Sequence, residues 1–358
     1  MMEQPAAAPL APATFADLEG WNADAVEQAW SAFLTSCTTL VNRPEWQAVC
    51  TEASTMSAEP AAIRAFFESR FLPFQLTNPD GSVTGLITGY YEPLLRGSRT
   101  RTGEYKIPLY AAPEDLLIID LSTVAPDTKH MRLRGRLEGR KVVPYYSRAE
   151  IDQGAAPVAG KEIVWVDDAV EAFFLQIQGS GRVQLPDGSM VRVGYADQNG
   201  HPYKSIGRVL IERGELQLHE ASMQGIQRWA RTNPDKLAEL LAQNPSYVFF
   251  RELPPRDGGP IGALGVPLTP ERSIAVDPRH VPLGAPVFLA TTRPNSDVPL
   301  QRLMVAQDTG GAIRGVVRAD FYWGFGPAAG AEAGRMRQQG RMWVLLPRDH
   351  PQARAATN

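Results

Sequence analysis

The chain has 358 residues, 44% of them hydrophobic, and a formal net charge of −3. That length favours two domains, each able to bury an interior. The interspersed charges exclude a basic nucleic-acid stripe and a long acidic tail, and no apolar run approaches the ~20 residues that span a bilayer.

Met1 to Ala13 form an Ala/Pro lead expected to be disordered. Its start, Met1-Met2-Glu3-Gln4-Pro5, lacks the basic region and apolar core of a signal peptide, which leaves the compartment open. Leu18 to Phe74 read as helical. Trp21, Val26, Ala29 and Phe33 recur at helix-like intervals, Pro44-Glu45-Trp46 reopens a helix with proline in its first turn, and Ala61 to Phe71 repeats the pattern. The only cysteines, Cys37 and Cys50, lie here. They pair as a disulfide between neighbouring helices, implying an oxidising compartment, or stand as two buried thiols. His130, His201, His219, His280 and His350 show no metal-ligand spacing, so no metal site is expected.

Strands begin near Gly85 with Leu86-Ile87-Thr88-Gly89-Tyr90-Tyr91, stopped by Glu92-Pro93. Frequent Gly and Pro between short apolar runs favour a β-rich, turn-rich architecture from here on. Short strands follow around Lys106 to Tyr110, Val142 to Tyr146, Ile163 to Val166 and Ala172 to Gln178. A hairpin pairs Arg182 to Leu185 with Met190 to Tyr195 about Pro186-Asp187-Gly188. Helices start near Ser205 and Ser222. After Asn244-Pro245 strand patterns return at Tyr247 to Phe250, Ser273 to Val276, Val287 to Leu289, Leu303 to Ala306, Gly315 to Arg318 and Met342 to Leu346. This order reads as one domain inserted into another: residues 1–98 with 244–358, interrupted by 99–243.

Four segments carry candidate chemistry. Asp277, Asp308 and Asp320 each end or interrupt a β segment, which allows them to converge at one site; aspartate before Pro or Thr-Gly also forms turns. Asp320 stands in Arg318-Ala319-Asp320-Phe321-Tyr322-Trp323-Gly324. Rings stack on sugars, and low polarity raises a carboxyl pKa, so this segment suits protonation of a glycosidic bond. Gln176 and Gln178, read as one face of a strand ending in Gly179-Ser180-Gly181, suit an uncharged polyhydroxylated ligand. Tyr90, Tyr91 and Glu92 form a third cluster, and Tyr195 and Tyr203 belong to a fourth; both place tyrosines beside polar groups, as carbohydrate grooves do. Glu92 is the rival acid, although its proline neighbour favours a turn role.

Together Gly89-Tyr90-Tyr91-Glu92-Pro93, Gln176 to Gly181, Val193-Gly194-Tyr195, Asn244 to Phe250 and Gln307 to Gly324 resemble the MltA-type membrane-bound lytic murein transglycosylases, which carry a three-aspartate (3D) domain. The similarity continues through Gly326-Pro327-Ala328-Ala329-Gly330 and Gly340 to Val344. The resemblance implies a mainly β fold with N-terminal helices: a six-stranded double-psi β-barrel, an inserted second β-barrel, and a groove between them. It implies cleavage of the β-1,4 bond between N-acetylmuramic acid and N-acetylglucosamine in peptidoglycan, without water, leaving a 1,6-anhydromuramoyl end.

On that resemblance Asp320 is the catalytic acid, and Asp308 and Asp277 support it. Tyr90, Tyr91, Glu92, Gln176, Gln178, Gly179, Ser180, Tyr195 and Tyr203 contact the glycan. No cofactor is expected. The expected partners are glycan strands and proteins of a cell-wall synthesis or hydrolysis complex, with the protein itself a monomer. The expected location is the periplasmic face of the outer membrane, lipid-anchored in the full-length precursor, although the Ala/Pro lead carries no lipobox cysteine. A water-using glycosidase on the same fold and a non-catalytic wall-binding protein are the alternatives.

Overall fold

The computed structural model describes residues 10–128, 131–255 and 258–357. The chain forms two compact units, Met1–Tyr91 with Asp257–Asn358, and Glu92–Arg256. A continuous unit thus interrupts a discontinuous one, with ends at 92 and 256 where the sequence reading put them at 99 and 243.

In the discontinuous unit, strand β1 (Leu10–Pro12) pairs with β2 (Phe71–Leu76). Part of the lead expected to be disordered is therefore a strand, docked on the edge that β2 offers; residues 1–9, like His130, lie outside the described residues. Helices α1 (Trp30–Leu40), α2 (Pro44–Thr55) and α3 (Pro60–Arg70) follow, the last two opening on proline, which has no amide hydrogen to leave unpaired in a first turn. Their inner faces stack aromatics edge to face, Trp30 on Phe66 with centroids 5.3 Å apart and Phe33 on Phe71 at 5.8 Å. Cys37 and Cys50 are bonded to each other, joining α1 to α2 with Cα atoms 5.2 Å apart. The helical reading ran too far: Phe71–Leu76 leaves the helix as β2, where Pro73 occupies a strand position.

Strand β3 (Gly85–Glu92) then leads into the continuous unit. There β4 (Leu94–Ser98), β5 (Ile107–Tyr110), β6 (Leu117–Ile118), β7 (Arg134–Glu138) and β8 (Lys141–Pro144) precede α4 (Arg148–Asp152) and β9 (Glu162–Val166). Next come α5 (Ala169–Gln178), the hairpin β10 (Ser180–Gln184) and β11 (Met190–Gln198), α6 (Ile206–Glu212), α7 (Met223–Thr232), α8 (Pro234–Ala242) and β12 (Val248–Leu253). Six strands form one sheet in the order β12-β11-β10-β4-β9-β5, with a bridge between Ala111 and Phe250 at its edges; β6, β7 and β8 form a separate sheet.

The segment read as a strand from Ala172 to Gln178 is the helix α5. Asp168 caps it, accepting hydrogen bonds from the amides of Val170 (2.7 Å) and Glu171 (2.9 Å), and Gly179 ends it in the left-handed conformation at φ +80°. Ala172 and Leu175 pack on the sheet, while Val170 and Phe173 pack with α6 to α8.

The chain returns to the first unit with β13 (Ser273–Val276), β14 (Pro286–Thr292), β15 (Pro299–Asp308), β16 (Ala319–Phe325), α9 (Gly326–Ala333), β17 (Arg337–Pro347) and α10 (Pro351–Thr357). Six strands close on themselves in the order β3-β17-β14-β15-β13-β16 and back to β3, around a core that includes Ile87, Ile274, Val287, Leu303, Phe321 and Val344. Gly315 to Arg318, expected as a strand, is a loop before β16. The Asp277 carboxylate and the Asn78 side chain take the amides of Gly315 and Val317 that a ladder would use. With helices in both units, the fold is mixed α and β rather than mainly β.

Candidate active site

The two later aspartates are brought together by strand register. β13 lies between β15 and β16, and its Ala275 pairs with Asp308 on one side and Asp320 on the other. Paired residues share a face, and neighbouring strands are ~4.8 Å apart, which puts the two aspartate Cα atoms roughly 10 Å from each other. Ala275, small and itself buried, is the residue between them.

A bulge makes this possible. Ile274 pairs with Ala306, but Ala275 pairs with Asp308, so Gln307 is the extra residue. Without it Asp308 would point to the opposite face. Gln307 is buried: its amide donates to Ala32 O (2.9 Å) and Ser36 Oγ (2.8 Å) and accepts from Ser273 Oγ (2.5 Å). Helix α1 thereby fixes the bulge that aims Asp308.

Strand β3 supplies the partners by alternation. Thr88 and Tyr90 lie on one face, and Ile87 and Tyr91 on the other. Thr88 Oγ1 donates to Asp320 Oδ1 at 2.6 Å, and Tyr90 OH donates to Asp308 Oδ2 at 3.1 Å. Tyr90 stacks at a tilt on Tyr322, centroids 5.2 Å apart. Tyr91 instead lies in the core, against Gly330, where a Cβ would come within 2.8 Å of its ring. Expected at the glycan, Tyr91 is a packing residue because it falls on the odd side of the alternation.

Burial pushes the Asp320 carboxyl up to about 6, against the pull of the Thr88 hydrogen bond and the Arg318 charge; the Asp308 charge adds to the rise. Burial also raises Asp308, opposed by hydrogen bonds from the amides of Thr309 and Ala263 and from Tyr90. Tyr90 is held neutral, pushed well above its ordinary range by burial and by both carboxylates. Asp277 behaves oppositely. Burial disfavours its charge, but the Arg279 side chain and the amides of Gly315 and Arg279 outweigh this and hold it well below the usual carboxylate range. Its Oδ2 accepts from Arg279 Nη2 (2.6 Å) and from Gly315 N (2.9 Å). Asp277 is thus a fixed anion that pins the loop between Asp308 and Asp320 at a glycine with φ +120°, a conformation other residues avoid.

In the continuous unit the predicted binding residues divide. Gln176 is 9% exposed, and its Oε1 accepts from Arg148 Nη2 (2.5 Å) and Val248 N (3.4 Å). Arg148 in turn lies over Phe173 and Tyr247, so Gln176 belongs to an internal network. In a helix residues two apart face different directions, so Gln176 and Gln178 do not share a face. Gln178, Gly179 and Ser180 form the junction of α5 and β10. Ser180 pairs with Gly194, and a Cβ on Gly179 would stand 4.0 Å from that of Tyr195. Tyr195 is 36% and Tyr203 56% exposed. Glu92, expected to contact glycan, is 1% exposed and bound by Arg182 (2.8 Å) and Arg192 (3.4 Å) of its own unit, which makes it an internal ion-pair partner.

Thr88 and Arg318 are site residues that the sequence reading did not single out. The available signal was position: Thr88 stands two residues before Tyr90, and Arg318 two before Asp320. Among the described residues no group of three or more His, Cys, Asp or Glu is placed to hold a metal ion.

The closed six-stranded barrel thus presents two partly buried carboxyls, Asp308 and Asp320, across a single intervening strand. Two family models match the chain: the MltA specific insert domain over residues 86–251 and the 3D domain over residues 272–346. Membrane-bound lytic murein transglycosylase A of Escherichia coli K12 is 38% identical over 282 residues, 76% of this chain and 68% of that protein. A crystal structure of MltA from Neisseria gonorrhoeae superposes with a TM-score of 0.84 at 39% identity, covering 97% of this chain and 98% of that one. A crystal structure of Escherichia coli MltA with bound chitohexaose matches at 30% identity and a TM-score of 0.67, over 89% and 90% of the two chains. The chain belongs to the MltA family of membrane-bound lytic murein transglycosylases.

Proposed function

We propose that the protein is a peptidoglycan lytic transglycosylase in which Asp320 acts first as acid and then as base. The observation that carries this reading is the Asp320 carboxyl itself, half-buried, raised to about 6 and set in register with a second acid. A carboxyl so placed keeps a protonated fraction close to neutral pH that an ordinary aspartate lacks, as a general acid requires.

Protonated Asp320 donates to the glycosidic oxygen as the bond from muramic acid C1 breaks, leaving the N-acetylglucosamine hydroxyl. The Asp320 carboxylate then accepts the proton of the muramic C6 hydroxyl while that oxygen bonds to C1. Every atom is accounted for, and no water is consumed. An intramolecular hydroxyl in attack geometry has a large advantage over solvent, which lets one carboxyl do what most glycosidases assign to two. Asp308, held by Tyr90 and Ala263, supplies charge and order beside it, and Asp277 fixes the connecting loop.

We read the closed barrel as the double-psi type, supported by the parallel pairing of β13 with β15 inside an otherwise largely antiparallel ring. In the continuous unit we assign sugar contacts to Gln178, Gly179, Ser180, Tyr195 and Tyr203, and internal support to Gln176 and Glu92. The disulfide and the membrane-bound relatives support a place in the cell envelope, which we take to be the periplasmic face of the outer membrane. Mass spectrometry of digested murein tests the reaction: anhydro ends, one water lighter than hydrolytic ends, are expected, and reducing ends alone would refute it.

A further inference from the structure

The environment of Asp320 contains a hydrogen-bond chain whose direction is fixed. Arg318 Nη1 donates to two backbone carbonyls, Leu86 O at 3.2 Å and Ala319 O at 2.5 Å, and Nη2 donates to Thr88 Oγ1 at 2.9 Å. A guanidinium has no acceptor and does not deprotonate. Thr88 therefore accepts from Arg318, which leaves its single proton available for Asp320 Oδ1, 2.6 Å away, to which it donates.

We propose that Thr88, oriented by Arg318, is a positioning residue for the acid: it commits Oδ1 of Asp320 to accepting, so that Oδ2 is the oxygen that carries, donates and recovers the catalytic proton. This rests on the reading of Asp320 as acid and base. The chain works differently on the two steps. A hydrogen bond donated to Oδ1 stabilises the carboxylate more than the acid, so Thr88 eases proton release to the glycosidic oxygen. The same bond fixes the plane of the carboxyl group, and with it the in-plane lone pairs of Oδ2 that take the C6 hydroxyl proton. The other groups that face Asp320 are Asp308 on β15, whose charge opposes ionisation, Arg318, whose charge favours it, and the neutral phenol of Tyr90.

The test is the rate of murein digestion against pH for Thr88→Val, Thr88→Ser, Arg318→Gln and Asp320→Asn, with folding checked by circular dichroism. Valine keeps the shape of threonine and removes the donor. Thr88→Val is expected to lose about tenfold to a hundredfold in rate. The descending alkaline limb should move upward by about one pH unit, because the carboxylate loses its donor. Thr88→Ser should recover both rate and limb, and Arg318→Gln should shift the limb in the same direction as valine. A folded Thr88→Val protein with wild-type rate and limb overturns the inference. So does a slow one whose limb stays in place, since that is what a structural role alone would give. Should the valine protein fail to fold, Thr88→Ala, which also lacks the donor, decides by the same two readings. Full activity in Asp320→Asn removes the acid itself and the inference with it; an inactive Asp320→Asn beside an unaltered Thr88→Val refutes the positioning role and leaves the acid standing.

Discussion

Replacing Asp320 by Asn should make the protein more stable at high pH, and by an amount the structure sets. The carboxyl ionises at about 6 in the folded chain against an ordinary value of 3.8, a difference worth about 3 kcal/mol at 1.36 kcal/mol per pH unit. The sign follows from linkage. A carboxyl raised by folding contributes its stability when protonated, fully below its unfolded value, and loses it as pH rises through about 6. Above that the wild type carries a charge its surroundings disfavour. Asn keeps the oxygen that accepts from Thr88 but carries no charge. Urea unfolding of the disulfide-intact proteins should therefore show Asp320→Asn more stable by about 2–3 kcal/mol at about pH 8, with the two nearly equal at about pH 4. A difference independent of pH, or a wild type that gains on its variant as pH rises, would refute the burial argument.

Asp277→Asn should behave inversely. Its carboxylate is held low by Arg279 and two amides, so the variant should lose about 2 kcal/mol at neutral pH, with the gap to wild type closing on acidification; thermal melts at several pH values check this. Tyr90→Phe removes one of Asp308's donors and should cut the rate of murein solubilisation about tenfold while leaving the melting temperature nearly unchanged. Breaking the Cys37–Cys50 link, which closes a loop with a sequence separation of 13, should cost about 3 kcal/mol by denaturant unfolding. Gln176→Ala should destabilise the protein by about 2 kcal/mol because it strips a buried acceptor from Arg148, whereas Gln178→Ala should weaken murein binding in a sedimentation assay.

How much of this was legible in the sequence varied with the kind of signal. Proline-opened helices, the Asp-Gly hairpin and most strands of the barrel follow from local rules, and they appear where those rules put them. The placement of Asp308 and Asp320 on either side of Ala275 did not follow from local rules, because it depends on one extra residue: strict alternation through Gln307 would send Asp308 to the wrong face. The reading of Gln176 and Gln178 failed for a related reason. Gln-Ile-Gln mimics a strand's alternation, yet the cap at Asp168 and the glycine at 179 frame a ten-residue helix. Alternation along β3 does separate Tyr90 from Tyr91, but only once Tyr90 is known to face Asp308. Arg318 and Thr88 were hidden because neither type, taken singly, announces acid–base chemistry. Burial decided the rest, since Glu92 at 1% exposure is consumed by two arginines.

In the proposed mechanism Asp320 breaks the glycan bond with no water entering the product. Digesting murein in heavy-oxygen water, with wild type beside Asp320→Asn, and weighing the muropeptides tests it directly. Anhydro-ended fragments free of solvent oxygen are expected from the wild type, and no fragments from the folded variant. Reducing ends carrying solvent oxygen, or unchanged release by Asp320→Asn, would contradict it.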